Sequence, residues 1–361
     1  MAKILYGVAG EGFGHSSRSE LFGHRLIEAG HEVMFAASRK SLAYLTPTFG
    51  QRVQQVFGLS FYYQNGRVCP LRTLRQNLAG YPKGWATNRR LFSKHVRQFN
   101  PDLVISDFEP FSAWWAFRHR VPCLSIDHEH LLTLGRLDRE PRYRTERWMA
   151  KIVTYGYHTF ADAYIVLNFF ETPLRGGSSV LVPPVVRPAV LTIQPSQSDH
   201  ITVYSTDSCG QMRQNVINCL SRFERQRFFI YGFNEDAAVG NCILKKTSTE
   251  GFLRDLASCR GVIATAGFSL LSECLHYNKR MLLIPVQDQY EQIVNAYYVE
   301  KLGLGMRTET LTADAVAAFL QTLDTPMPAG GGILRPDNDR VIAAIDRQAA
   351  EAGVRLGLST Q

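Results

Sequence analysis

The chain opens on a short apolar run, residues 3–8, which enters a glycine-rich turn at residues 10–14. In residues 16–29, Leu21, Leu26 and Ile27 recur near helical spacing before Gly30 stops the pattern, and residues 32–37 read as a second strand. Strand, helix and strand in that order form a βαβ unit. Such units build parallel sheets with ligand sites beyond the carboxyl ends of the strands. The alternation continues with strands expected at 102–106, 122–126 and 164–167 and helices at 110–118 and 146–160. This opening therefore commits the first half of the chain to an α/β fold.

A length of 361 residues exceeds what one core usually organises, so two domains are expected. Pro183, Pro184, Pro188 and Pro195 interrupt the alternation in a stretch that resists helix and central strand alike. Beyond it a second set of strands is expected at 201–205, 227–232, 243–245, 261–265 and 281–284. The reading is a first domain at 1–182, a linker at 183–200, a second domain at 201–330, and a tail at 331–361 carrying an amphipathic helix over 339–352.

Composition narrows the function classes. The longest apolar stretches fall well short of the roughly 20 residues a spanning helix needs, and the N-terminal sequence lacks the pattern of a signal peptide. A cytoplasmic protein is expected. The seven cysteines are odd in number and never spaced as CxxC, which points to small core residues rather than disulfides or zinc. The net charge of +8 is unevenly spread. Residues 33–101 contain no Asp or Glu, yet carry Arg39, Lys40, Arg52, Arg67, Arg72, Arg75, Lys83, Arg89, Arg90, Lys94 and Arg97. Phe57, Phe61, Tyr62, Tyr63, Tyr81, Trp85, Phe92 and Phe99 are interleaved with them. Basic and aromatic residues together suit an anionic membrane surface, a lipid-phosphate acceptor or a nucleic acid.

The turn at residues 10–14 departs from the dinucleotide GxGxxG pattern, and Ser38-Arg39-Lys40 stands where an acidic residue would hold a ribose, which argues against NAD. Gly14-His15, Leu21, Leu26 and Gly30-His31-Glu32-Val33 together resemble the opening of the GT-B glycosyltransferases, with Arg18 where that family often has proline. The resemblance implies a GT-B architecture, two Rossmann-like domains facing each other across a cleft. It also implies that His15 is the general base for an acceptor hydroxyl, a task suited to a neutral imidazole. Asp107 resembles the aspartate partner of that histidine, which would fix its tautomer and stabilise the imidazolium as it forms. On the residues alone, His15 could instead cap a helix, Asp107 could cap the helix beginning near Pro110, and nearby Glu109 could play either part, partner of the histidine or helix cap.

A second resemblance lies in residues 261–305. Gly267-Phe268-Ser269-Leu270-Leu271-Ser272-Glu273 matches the corresponding run of the lipid-linked N-acetylglucosaminyltransferases of peptidoglycan synthesis and is similar to that of plant-type UDP-glycosyltransferases. Backbone N–H groups at Gly267, Phe268, Ser269 and Leu270, with the helix dipole, would hold the pyrophosphate without a metal. Glu273 would receive the ribose hydroxyls. Glu291-Gln292 would bind the donor sugar, with Asp288-Gln289 a competing acid–amide pair. Thr206 and Ser208 stand where the family has a phosphate loop, and residues 246–252, ending at Phe252, resemble the loop that receives the base.

By the same resemblance the first domain takes the acceptor, which makes Gly12, Gly14, Arg18 and His128 candidate contacts. Asp127-His128-Glu129-His130 could in principle offer metal ligands, but acceptor contacts or solvation are the preferred reading. Asp337-Asn338-Asp339 has the form of a metal-binding DxD, yet precedes a helix and reads as its cap. No metal and no cofactor beyond a nucleotide sugar, UDP-linked, are expected. The expected activity is transfer of a hexose or N-acetylhexosamine, with inversion, to a hydroxyl of a lipid-linked or otherwise anionic acceptor, at the inner membrane face. A nucleotide-sugar epimerase and a nucleic-acid-directed transferase or binding protein are the competing expectations.

Overall fold

A computed structural model describes residues 1–58, 63–64, 67–68, 70–157, 160–205, 210–246 and 248–358. The chain falls into two units. One comprises Met1–Gln64, Val68–Val185 and Asp337–Gln361, the other Asn65–Arg67 and Val186–Pro336.

In the first unit seven strands form one sheet, all of them parallel: β1 (Lys3–Val8), β2 (Glu32–Ala37), β3 (Val53–Gln55), β4 (Leu103–Asp107), β5 (Cys123–Asp127), β6 (Ala163–Leu167) and β7 (Ser179–Val182). Their spatial order is β3-β2-β1-β4-β5-β6-β7. The order reverses direction between β1 and β4, where Val8 pairs with Asp107 as the last residue of each strand. That reversal is the switch point at which doubly wound sheets bind ligands. Every residue of β4 and β5 is buried, as expected of parallel strands covered on both faces.

Helix α1 (Phe13–Glu28) begins at Gly12, whose φ of 77° suits glycine and whose missing Cβ leaves open space above the turn. Its buried face includes Leu21, Phe22 and Leu26. Helix α2 (Pro110–His119) has proline in its first turn and Glu109 as its cap, the carboxylate accepting from the backbone N–H of Phe111 and Ser112 at 3.1 and 2.7 Å. The short α3 (Leu131–Leu134) and the longer α4 (Arg144–Tyr157) follow β5.

Helix Asn338–Glu351, set apart by composition as part of a tail, packs on the strands of this first unit through Val341, Ile342 and Ile345. Asp337 caps it by accepting from the N–H of Arg340, so the DxD run ends in a helix cap. His31 ties the same region to β1. Its Nδ1 accepts from the N–H of Ala2 at 3.0 Å, and its Nε2 lies 2.7 Å from the carbonyl of Leu356.

The second unit repeats the plan. Its strands are β8 (His200–Tyr204), β9 (Arg227–Tyr231), β10 (Ala237–Val239), β11 (Cys242–Leu244), β12 (Gly261–Ala264), β13 (Arg280–Leu283) and β14 (Gly305–Arg307). They lie in the order β10-β11-β9-β8-β12-β13-β14, with only β10 antiparallel to its neighbour. Here the reversal falls between β8 and β12, which carries straight into helix α5 (Phe268–His276). Helix α6 (Tyr290–Lys301) follows β13. Both sheets are thus Rossmann-like, as expected from the alternation. The edge strands β3, β7, β10 and β14 escape sequence reading, because three or four residues carry too little periodicity.

Candidate active site

At the switch point of the first sheet, α1 delivers His15 and β4 delivers Asp107. His15 Nδ1 lies 2.6 Å from Asp107 Oδ1, and Asp107 is fully buried. Between Asp107 and Glu109, Phe108 takes a φ of 51°, a conformation uncommon outside glycine that recurs at functional sites. Its ring stacks on His15 at 6.4 Å between centroids. The geometry separates the two acids left open by the sequence: Glu109 caps α2, while Asp107 meets the histidine. Burial pushes the Glu109 carboxyl up, partly offset by its cap bonds from Ser112 and Phe111.

Arg18, one turn further along α1, is buried beneath this pair. Its Nε donates to Asp107 Oδ2 at 2.7 Å and its Nη2 to Oδ1 at 2.5 Å, a two-point ion pair. Nε and Nη2 of Arg18, expected as an acceptor contact, are thus engaged by Asp107. His128, expected as another, is buried, with Nδ1 2.8 Å from the carbonyl of Leu167. Asp127 turns to His130, whose Nδ1 lies 2.7 Å from Oδ2. Burial alone would raise the Asp127 carboxyl, but His130 outweighs it and holds the group low. Among the described residues no group of three or more His, Cys, Asp or Glu converges on a metal position.

Glu129 was read only as part of that polar run. Its Oε1 lies 3.2 Å from His15 Nε2, the ring nitrogen opposite Asp107. A carboxylate directly after a buried parallel strand was the available signal, because such positions lie at the ligand edge of the sheet. Burial alone would lower His15, yet Glu129 and then Asp107 outweigh it and push the imidazole well above its ordinary value. Burial would correspondingly raise Glu129, but His15 holds its carboxyl below the usual range. Gly12 and Gly14 sit at the start of α1 beside this cluster, Gly12 with nothing within 4 Å of a notional Cβ.

In the second unit, α5 starts at Gly267 with no side chain capping its first turn, and a Cβ at Gly267 would also meet nothing within 4 Å. Gly267, Ser269 and Leu270 are half-buried there, and Phe268 is buried. An open helix start at the end of a parallel strand favours an anion by dipole and by N–H groups. Glu273, one turn in, is 5% exposed and pairs with Arg187, whose Nε lies 2.7 Å from Oε1. Burial pushes this carboxyl up against the pull of Arg187. Arg187 lies in the proline-rich stretch read as a linker, where nothing in the sequence connected it to Glu273.

Gln292 Oε1 accepts from the N–H of Ala266 at 3.1 Å and of Val286 at 3.0 Å, joining the loops that follow β12 and β13. Asn295 adds a bond to the carbonyl of Ala266 at 3.0 Å. Gln292 is thus engaged in positioning these loops, while Glu291 stays half-buried, 3.5 Å from Asn295 Nδ2. Asp288 is exposed in a turn with φ of 67°. Phe252 is wedged between the rings of Tyr204 and Tyr231, and its backbone N–H donates to the carbonyl of Ser248 at 2.9 Å. Thr206, Ser208 and Thr247 lie outside the described residues.

Two Rossmann-like units, each opening a helix at its switch point, follow the GT-B plan. The chain belongs to glycosyl transferase family 1, whose family model matches residues 2–324. Uncharacterized glycosyltransferases of Methanosarcina mazei and Methanosarcina acetivorans are similar to it. The first is 28% identical over 351 residues, covering 87% of this chain and 88% of the relative. The second is 25% identical over 333 residues, covering 84% of each. Among solved structures, the glycosyltransferase of kitacinnamycin aligns with TM-score 0.62 at 15% identity over 99% of this chain and 97% of its own. UGT89C1 of Arabidopsis thaliana, complexed with UDP, aligns at 0.57 and 12% over 98% and 100%. MurG of Acinetobacter baumannii aligns at 0.58 and 11% over 97% and 100%. At such identities the structural likenesses speak for the fold alone.

Proposed function

We propose that this glycosyltransferase transfers a hexose or N-acetylhexosamine, with inversion and without a metal, from a UDP-linked sugar to a hydroxyl of a lipid-linked or otherwise anionic acceptor. The observation that carries this reading is the 2.6 Å contact of His15 with Asp107 at the switch point of the first sheet. In the proposed reaction Asp107 holds Nδ1–H, and Nε2 takes the proton of the acceptor hydroxyl. The oxygen attacks the anomeric carbon as the bond to the nucleotide diphosphate breaks, and a single displacement inverts that centre. The departing diphosphate charge is received by the start of α5, and Glu273 receives the ribose. Glu291 is the proposed sugar contact. UGT89C1, bound to UDP, lends support to the choice of nucleotide.

Support for an anionic acceptor comes from the surface of the first unit. Arg39, Lys40, Arg52, Arg72, Arg75, Arg89, Arg90, Lys94 and Arg97 are all exposed. The aromatics of that segment divide: Phe92 is buried in the core, while Trp85 is 46% exposed. Exposed apolar residues recur on α2, at Trp114 and Phe117, and on α4, at Trp148, Ile152 and Tyr155. Cations beside aromatic side chains suit the headgroup region of an anionic bilayer. No helix among the described residues is long and apolar enough to cross a membrane, so the proposed contact is peripheral.

Mass spectrometry of products after incubation with a panel of UDP-sugars and lipid-linked acceptors, with and without EDTA, tests the proposal. Glycosylated acceptor is expected at equal yield in both conditions. Unchanged donor throughout would overturn it, and loss of yield with EDTA would overturn its metal independence. Glu273→Ala is expected to weaken UDP binding by about tenfold or more, the loss of a charge-assisted hydrogen bond, read by calorimetry. Wild-type affinity would remove Glu273 from the donor site.

A further inference from the structure

His15 sits between two carboxylates, and they are not equivalent. Asp107, on the Nδ1 side, is compensated by the two-point ion pair with Arg18 and also lies within 3.4 Å of Ser19 Oγ. Glu129, on the Nε2 side, has no such two-point pair with an Arg or Lys among the described residues, its Oε2 accepting from the N–H of His128 at 3.1 Å, and 18% of its side chain is exposed against none of Asp107. The carboxylate that bears most on the imidazole is therefore the one standing where a substrate oxygen would have to approach.

We propose that Glu129 is a positioning residue of the acceptor site, whose carboxylate occupies in the acceptor-free protein the place on His15 Nε2 that the acceptor hydroxyl must take. The inference rests on the reading of His15 as the base. In the free protein an imidazolium shares Nδ1–H with Asp107 and Nε2–H with Glu129. When an acceptor enters, the carboxylate parts from Nε2 and the proton leaves through it to solvent. The bared Nε2 then accepts the hydroxyl proton as the new carbon–oxygen bond forms and the diphosphate departs with its electron pair. The returned imidazolium pairs again with Glu129. Glu129 thus keeps the base protonated until an acceptor displaces it.

The groups that set this balance come from every side of the ring. Arg18 faces it from α1, Asp107 from β4, and the Tyr6 hydroxyl from β1, acting through Asp107 and Arg18. Glu129 comes from the turn after β5, with the Asp127–His130 pair behind it. Of these, only Glu129 contacts Nε2 among the described residues.

The test uses the intact protein with histidine labelled for NMR, together with acceptor kcat/KM against pH. Glu129→Gln is expected to lower the titration midpoint of His15 in the free protein by about one pH unit or more. The acid limb of kcat/KM, which reports the free enzyme, should move down with it. Glu129→Asp, which keeps the charge, should restore part of the raised limb. An unmoved midpoint, or a moved midpoint with an unmoved limb, would overturn the proposal. So would plateau turnover in Glu129→Gln as low as in His15→Ala, since Glu129 would then be the base itself. Turnover retained in His15→Ala would instead bring down the base reading, while the midpoint shift in Glu129→Gln would still appear, so the two failures are distinguishable.

Discussion

His15→Ala is expected to lower glycosyl transfer by about 10²–10⁴-fold while leaving UDP affinity as in the wild type. The imidazole stands on the first unit, at the end of a parallel sheet, and the open start of α5 stands on the second. In the proposed reaction, proton abstraction and diphosphate binding fall to different cores, so removal of the ring should leave the latter untouched. Turnover with saturating donor, paired with calorimetric titration of UDP, separates the two. Transfer at the wild-type rate would remove His15 from the chemistry and leave its contact with Asp107 as a packing feature.

Arg18→Met is expected to cost about 3 kcal/mol of unfolding free energy, because it takes the two-point ion pair from the buried carboxylate of Asp107 and leaves only His15 and Ser19 as its partners. Asp107 is fully buried and Arg18 is 6% exposed, so water cannot replace the lost partner. Urea unfolding checks the size of the effect. The double variant Arg18→Met with Asp107→Asn should recover part of the loss, because the buried negative charge that Arg18 balanced is gone as well. If Arg18 were a surface contact for the acceptor, the single variant would change stability by no more than about 0.5 kcal/mol and would act on KM instead.

The βαβ rhythm could be read from the sequence because each central strand is buried on both faces and so must be apolar throughout, whereas helices show one apolar stripe. The positions of His15, Asp107 and Gly267 could be read for a related reason: Asp107 ends such a strand, and His15 and Gly267 stand at the start of a helix that follows one. Glu129 occupies an equivalent position, but it sits in a run of four ionisable residues, and sequence alone does not show which of them turns toward α1. The turn after β5 separates them: Glu129 reaches His15, whereas His128 turns to the carbonyl of Leu167. Arg187 was hidden for the opposite reason. Its prolines marked the stretch as a connection, and a connection's side chains carry no periodicity to say what they face. The pairing of Arg18 with Asp107 was hidden because nothing local in the sequence says that a carboxylate from a distant strand reaches that guanidinium.

The first unit draws on both early and late parts of the chain: β1 is held to Leu356 through His31, and helix Asn338–Glu351 covers strands made much earlier. Domains ordinarily complete themselves in the order in which they are translated. Here the ribosome must deliver the whole of the second unit before the last helix of the first can dock. The sheet carrying His15 and Asp107 therefore waits, partly uncovered, while the nucleotide-side unit folds. Truncation before Asn338 should leave that sheet with an exposed apolar face, and a nascent chain paused there should be readily captured by chaperones.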